Sequence, residues 1–179
     1  YALYEWVDGS PVTTCNDADI DAAIAFTRRL YDLRVADDAA ALSVASEACL
    51  SGAETLHQVD RRYRRLSEIA VEEPALREFL VSRFEPVRTR GAEWVRDGYA
   101  GLGLEFETDL AVAKRTLSPA DFGFHNAIRR PDGRLTFIDF EYFGWEDPVR
   151  LVAEFTQHPG MDLDPAMAQR FHGGACGLF

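Results

Sequence analysis

Apolar side chains recur at helical spacing along most of this chain and alternate in strand fashion in one central region. Ile20, Ala23, Ile24, Thr27, Leu30, Tyr31 and Leu33 mark one face of a helix predicted over residues 19–34, entered through the acidic, helix-starting run 16–21. Leu56, Val59, Tyr63, Leu66 and Ile69 repeat the pattern behind Ser51-Gly52-Ala53-Glu54, which has capping-box spacing. From Pro74, a residue suited to a first turn, the stripe Leu76, Phe79, Leu80, Phe84, Val87 and Trp94 runs to about Asp97. Pro86 falls inside it and predicts a kink or a break into two helices. Gly98, Gly101 and Gly103 end the pattern as a helix C-cap and loop. Glu146-Asp147-Pro148 signals another helix start, with Val149, Leu151, Val152 and Phe155 as its buried face.

The intervening segments are less regular. Residues 1–7 are aromatic and β-branched and read as a strand or extended connector, with Asp8-Gly9-Ser10-Pro11 as a turn. The Ala-rich stretch 37–50 reads as a loop followed by a short helix, and 108–116 as a short helix or a turn. Residues 171–179, with Gly173, Gly174 and Gly177, suggest no clear element. The chain opens without Met on a strand-like run that has no partner before it, so further residues are expected upstream.

The central region carries the chemistry. Two short apolar runs flank Pro131-Asp132-Gly133, a turn in which Pro pre-sets φ, Asp bonds its own backbone and Gly takes positive φ. A β-hairpin folded there brings Asn126 and Asp139 nearly opposite each other, on strands roughly 4.8 Å apart. Asp121 lies just upstream. Two carboxylates and an amide oxygen thus gather at one open end, a set able to hold a hard divalent cation and orient a hydroxyl.

Composition narrows the function classes. The formal charge of -11 argues against nucleic acid, whose phosphates want Lys and Arg. It fits an enzyme that attracts a cationic or metal-bound substrate, and equally a surface that is acidic for solubility. Arg61, Arg62, Arg64 and Arg65 read better as a solvated helix face than as an anion site. The chain lacks the apolar run of ~18 residues that a membrane helix requires. Cys15, Cys49 and Cys176 are odd in number and widely spaced, which disfavours disulfides and zinc and makes a reducing cytoplasm the default compartment. Ser118 is not in a Gly-x-Ser-x-Gly context, so a serine hydrolase is rejected.

Asp121-x-x-x-x-Asn126, a strand, a turn, a strand and Ile138-Asp139-Phe140 resemble the catalytic and metal loops of protein-kinase-like enzymes. Asp139-Phe140-Glu141 in particular resembles the aminoglycoside phosphotransferase and choline kinase superfamily, as does Asp147-Pro148 before an apolar helix. Tyr4-Glu5-Trp6-Val7-Asp8-Gly9 looks like that superfamily's interlobe hinge. The resemblance implies an α+β fold: a mostly helical kinase-like C-lobe over residues 11–179, incomplete at both ends, a hinge or linker strand over 1–10, and an ATP-binding N-lobe absent from this chain. It implies Asp121 as catalytic base and Asn126 and Asp139 as Mg²⁺ ligands. The backbone of Glu5, Trp6 and Val7 would bond adenine, and Glu141 and His125 are candidates for supporting or substrate contacts. ATP and Mg²⁺ are the implied cofactors. The partner is a small-molecule acceptor with a hydroxyl: an amino sugar, a sugar or an amino alcohol.

The superfamily usually has His two residues before the catalytic Asp, where this chain has Pro119. Its Gly-rich loop and Lys/Glu pair would precede Tyr1, so this fragment alone is expected to turn over little. Two rival readings are a kinase-like binding or regulatory module without catalysis and a metal-dependent hydrolase. His125 reads as loop packing, and Tyr142, Phe143 and Trp145 as core residues in preference to an aromatic wall.

Overall fold

The computed structural model describes residues 5–179. In chain order its elements are β1 (Ser10–Pro11), α1 (Asp17–Leu33), α2 (Gly52–Ile69), α3 (Pro74–Phe79), α4 (Glu85–Gly101), β2 (Thr116–Ser118), β3 (Ala127–Arg129), β4 (Leu135–Phe137), β5 (Gly144–Glu146), α5 (Pro148–Gln157) and α6 (Pro165–Cys176). The fold is α+β, dominated by helix with small antiparallel sheets. β1, β3 and β4 form one sheet in that order, and β2 pairs with β5 in another. Among the described residues no helix is long and apolar enough to cross a membrane.

The chain forms two compact units. The first joins the residues up to Ala48 with Ala111–Phe179. Its core is aromatic: Phe122, Phe155 and Phe171 are buried, the last two stacked with centroids 3.8 Å apart. α1 contributes Ile20, Ala23, Thr27 and Leu30 at the expected helical spacing. Its start is a complete capping box: the Asn16 side chain accepts the Ala18 and Asp19 amides, and Asp19 Oδ2 accepts the Asn16 amide at 2.9 Å.

The second unit, Cys49–Leu110, is helical. Ser51 caps α2 by accepting the Glu54 amide, while Glu54 reaches back to the Leu50 amide, one residue before the capping-box position. The break expected at Pro86 takes the form of a change of helix type: a five-residue π-helical turn, Leu80–Phe84, separates α3 from α4, and Pro86 occupies the first turn of α4. α4 closes as a Schellman motif, with Leu104 N–H on Tyr99 O and Gly103 N–H on Ala100 O. The apolar stripe of this unit is less covered than its spacing suggests: Phe79, Val87 and Trp94 are exposed. Tyr63 stacks on Phe84 and its hydroxyl donates to Glu85. The four arginines from Arg61 to Arg65 face solvent, as the solvated-face reading requires.

Four other expectations are corrected. Residues 1–4 of the expected hinge strand lie outside the described residues, and Glu5, Trp6 and Val7 form no strand. The strand comes later, at Ser10–Pro11, because that is where β3 offers a backbone edge, with Ser10 opposite Arg129. In 37–50 the helical turn (Asp37–Ala41) comes first and irregular chain follows. The C-terminal glycines do not prevent α6. Gly174 faces α1 so closely that a Cβ would meet the Ile24 side chain at 2.6 Å, so glycine there permits helix contact. Val149 points outward, while Leu151, Val152 and Phe155 are buried as expected.

Candidate functional site

The site grows out of a short alternation, Asp121-Phe122-Gly123-Phe124-His125. Phe122 and Phe124 are buried in the aromatic core and pin the loop, which turns Asp121 and His125 outward. Strand β2 delivers the chain to this loop. Ser118 at its end is fully buried, and its Oγ accepts the Ala120 amide at 3.1 Å. The following two residues, Ala120 and Asp121, both take left-handed backbone conformations, with φ of 47° and 82°. That conformation disfavours side-chain-bearing residues, Asp less than most.

Asn126 ties the loop to its aspartate. Its Nδ2 donates to the Asp121 carbonyl at 3.0 Å and to Asp121 Oδ2 at 3.2 Å. Two acceptors on one side fix the orientation of the amide and leave Oδ1 as its remaining donor atom for a cation. The expected hairpin follows directly: β3 pairs with β4, Ala127 opposite Phe137. Its turn closes through Gly133 N–H on Arg130 O, with Gly133 at φ 84°. The ladder extends one step further, where Ile138 N–H donates to Asn126 O at 2.9 Å. Asp139 is therefore the first residue beyond the pair that Asn126 makes.

Asp139 also has a left-handed backbone, φ 65°. Among the described residues only Glu47 joins Ala120, Asp121 and Asp139 as a non-glycine at positive φ. Glu47, Ala120 and Asp121 line one cavity of about 430 Å³. Backbone strain gathers at functional sites because it is kept only where the position of a side chain matters. Replacing Asp139 tests whether the conformation persists in solution. Asp139→Gly is expected to be more stable than Asp139→Ala by about 1 kcal/mol, since only glycine takes positive φ freely. Urea denaturation of both variants measures this, and equal midpoints would mean that the left-handed turn is not kept.

The cavity is also lined by Tyr142, Arg150, Glu154 and His158. Tyr142 is half exposed. The Glu141 carboxylate, through a hydrogen bond and its charge, pushes the phenol above its usual range, and burial and the charges of Asp139 and Asp121 push the same way. The Tyr142 hydroxyl is thus bonded to Glu141 and feels the charges of Asp139 and Asp121. Arg150 lies between Glu154 Oε1 at 2.8 Å and the buried Glu146 at 3.4 Å.

Two imidazoles complete the mouth. His125 Nε2 and His158 Nε2 each lie 3.1 Å from the same atom, Asp121 Oδ1, and their rings stack at 4.0 Å with an interplanar angle of 11°. His125 thus meets Asp121 instead of merely packing in the loop. His158, on the residue that ends α5, is a site residue the local sequence does not mark. Phe143 and Trp145 pack inside, the indole N–H donating to Ala39 O, whereas Tyr142 faces the cavity. Glu5, Trp6 and Val7 do not line this cavity; Trp6 is 84% exposed and its indole N–H donates to Asp8.

Compared with protein-family models, curated proteins and solved structures, the chain matches none of them.

Proposed function

We propose that this chain is the catalytic, kinase-like lobe of an ATP- and Mg²⁺-dependent phosphotransferase acting on a hydroxyl of a small molecule. One observation carries the reading. Asn126 Nδ2 bridges the carbonyl and carboxylate of Asp121, while the Asn126 carbonyl pairs with Ile138, the residue before Asp139. The base and the amide are thus bonded to each other at the open end of one hairpin, and the second carboxylate is carried by the residue next to Asn126's backbone partner. That is the economy phosphoryl transfer asks for, since its catalysis is positioning and charge neutralisation.

The residues suit the cation. Asn126 Oδ1 and the Asp139 carboxylate are hard oxygen donors, and both are near the solvent that Mg²⁺ retains as ligands. Bound there, Mg²⁺ supplies neutralisation of the phosphate charge. Asp121 orients the acceptor hydroxyl and takes its proton. The acceptor enters the 430 Å³ cavity, whose carboxylates Glu47, Asp121 and Glu154 outnumber the single Arg150, with the Tyr142 ring beside them. This balance favours a cationic acceptor, an amino sugar or an amino alcohol, over a neutral sugar. Backbone near Glu5 to Val7 remains the proposed adenine contact.

The test is ADP formation by the full-length protein with a panel of hydroxyl compounds, with and without Mg²⁺. Turnover is expected only with both a hydroxyl acceptor and the cation. Phosphate release without any added alcohol would turn the reading toward a hydrolase, and nucleotide-independent ligand binding toward a non-catalytic module.

A further inference from the structure

We infer that His158 is a positioning residue for Asp121, delivering a fixed Nε2–H to its carboxylate, and that Gly160 sets the tautomer that makes this possible. The inference rests on the reading of Asp121 as the group that takes the acceptor's proton. Its structural half, the tautomer, stands or falls separately.

The argument starts at the end of α5. His158 follows the helix, and Pro159-Gly160 turns the chain so that Met161 N–H bonds His158 O at 2.9 Å. In this turn the Gly160 amide donates to His158 Nδ1 at 3.0 Å. A backbone N–H always donates, so Nδ1 must be the unprotonated nitrogen. The ring proton of the neutral imidazole is then on Nε2, the atom 3.1 Å from Asp121 Oδ1. The stacked His125 ring presents its Nε2 to the same oxygen, and Asn126 holds Oδ2. Both carboxylate oxygens are thereby engaged, which restricts the rotation of a side chain that is otherwise nearly half exposed. A base held in one rotamer meets the hydroxyl at a defined angle, and misplacement by an ångström costs up to about 100-fold in rate.

Two imidazoles and a carboxylate with ligand atoms within 4.8 Å also suggest a transition-metal site. The tautomer argues against it. A metal on His158 Nε2 needs the lone pair there, so the proton would move to Nδ1, against the Gly160 N–H. The local turn is built for a donor.

Long-range ¹H–¹⁵N spectra of the imidazoles of the full-length protein read the tautomer directly. The expected result is Nε2–H at His158, retained during titration with Zn²⁺. An Nδ1–H tautomer, or stoichiometric Zn²⁺ binding that removes the Nε2–H, overturns the inference whatever the enzyme's activity. The kinetic half uses two variants. His158→Asn keeps an acceptor for Gly160 but does not reach Asp121, and is expected to lower kcat about 10- to 100-fold with the nucleotide KM unchanged. His158→Gln places an amide N–H where Nε2 stood and is expected to restore most of kcat. Equal kcat for the two variants, or an effect confined to KM, overturns the positioning role. Loss of tautomer specificity with phosphoryl transfer intact would fault this inference alone, and absence of phosphoryl transfer with the tautomer intact would fault the functional reading.

Discussion

Asp121→Asn is expected to lower the kcat of phosphoryl transfer by roughly two to four orders of magnitude, the usual worth of a positioned general base. The substitution keeps the shape of the side chain and an oxygen for the imidazoles of His125 and His158, whose Nε2 atoms converge on Asp121 Oδ1. It removes the capacity to take a proton. It also sets a new amide nitrogen against Asn126 Nδ2, whose present distance to Asp121 Oδ2 is 3.2 Å, so two donors would face each other. Nucleotide affinity is expected to stay within a factor of a few, because Asp139 is untouched and Asn126 keeps its bond to the residue 121 carbonyl. Steady-state kinetics with nucleotide binding measured in parallel decides it. Turnover above about a tenth of the original would remove Asp121 from the role of base.

The second large effect concerns stability. Arg129, at the end of β3, grips the buried Asp19 with two bonds, Nη1 to Oδ1 at 2.7 Å and Nη2 to Oδ2 at 3.0 Å. The same guanidinium donates to Thr14 O. Asp19 in turn belongs to the capping box of α1, so this one pair locks the first helix onto the sheet that carries the hairpin. Arg129→Ala leaves a buried carboxylate without its cation and is expected to cost about 2–4 kcal/mol at neutral pH. That is near the lower end for a broken buried pair, because Arg129 itself still touches solvent.

The pH dependence has a definite sign. The Arg129 hydrogen bonds hold the Asp19 carboxyl below its ordinary value of 3.8, with the Asn16 amide and the Arg129 charge acting the same way against the opposing effect of burial. A carboxyl depressed on folding binds more protons in the unfolded chain. Its contribution is therefore complete above the ordinary value and is lost as pH falls through the folded one. The gap between wild type and Arg129→Ala is expected to narrow from pH 7 toward about pH 3, as the unpaired, buried Asp19 of the variant takes up a proton and no longer demands a cation. Urea denaturation at both pH values tests this, and a gap that widens in acid would contradict it.

Local chemistry was enough to foresee much of this molecule. The 3.6-residue spacing of Ile20, Ala23, Thr27 and Leu30 marks α1 because burial repeats with the turn of the helix, and Asn16 and Ser51 announce the helix starts because short polar side chains satisfy free amides. Pro131-Asp132-Gly133 sets the hairpin because each residue prefers its own place in the turn, and pairing at that register follows. The juxtaposition of Asp121 and Asn126 is written into five residues of chain.

Where the sequence misled, the deciding partner lay elsewhere. Gly173 and Gly174 should end a helix, yet at Gly174 contact with Ile24 makes a missing side chain an advantage. Residues 5–7 have strand-like composition, but β3 offers its edge to Ser10 and Pro11.

The sequence by itself determined the hairpin, its turn and the short-range link between Asp121 and Asn126, because those depend on backbone preferences and on neighbours a few residues away. Only the tertiary structure decided which groups face Asp121 from outside the loop. His158 arrives from the end of α5 with its tautomer set by Gly160, and Tyr142, which composition alone would bury, lines the cavity with Asp121. The physical reason is range: turns and caps are settled within a few bonds, whereas the environment of a base is assembled by whichever helices the core draws together.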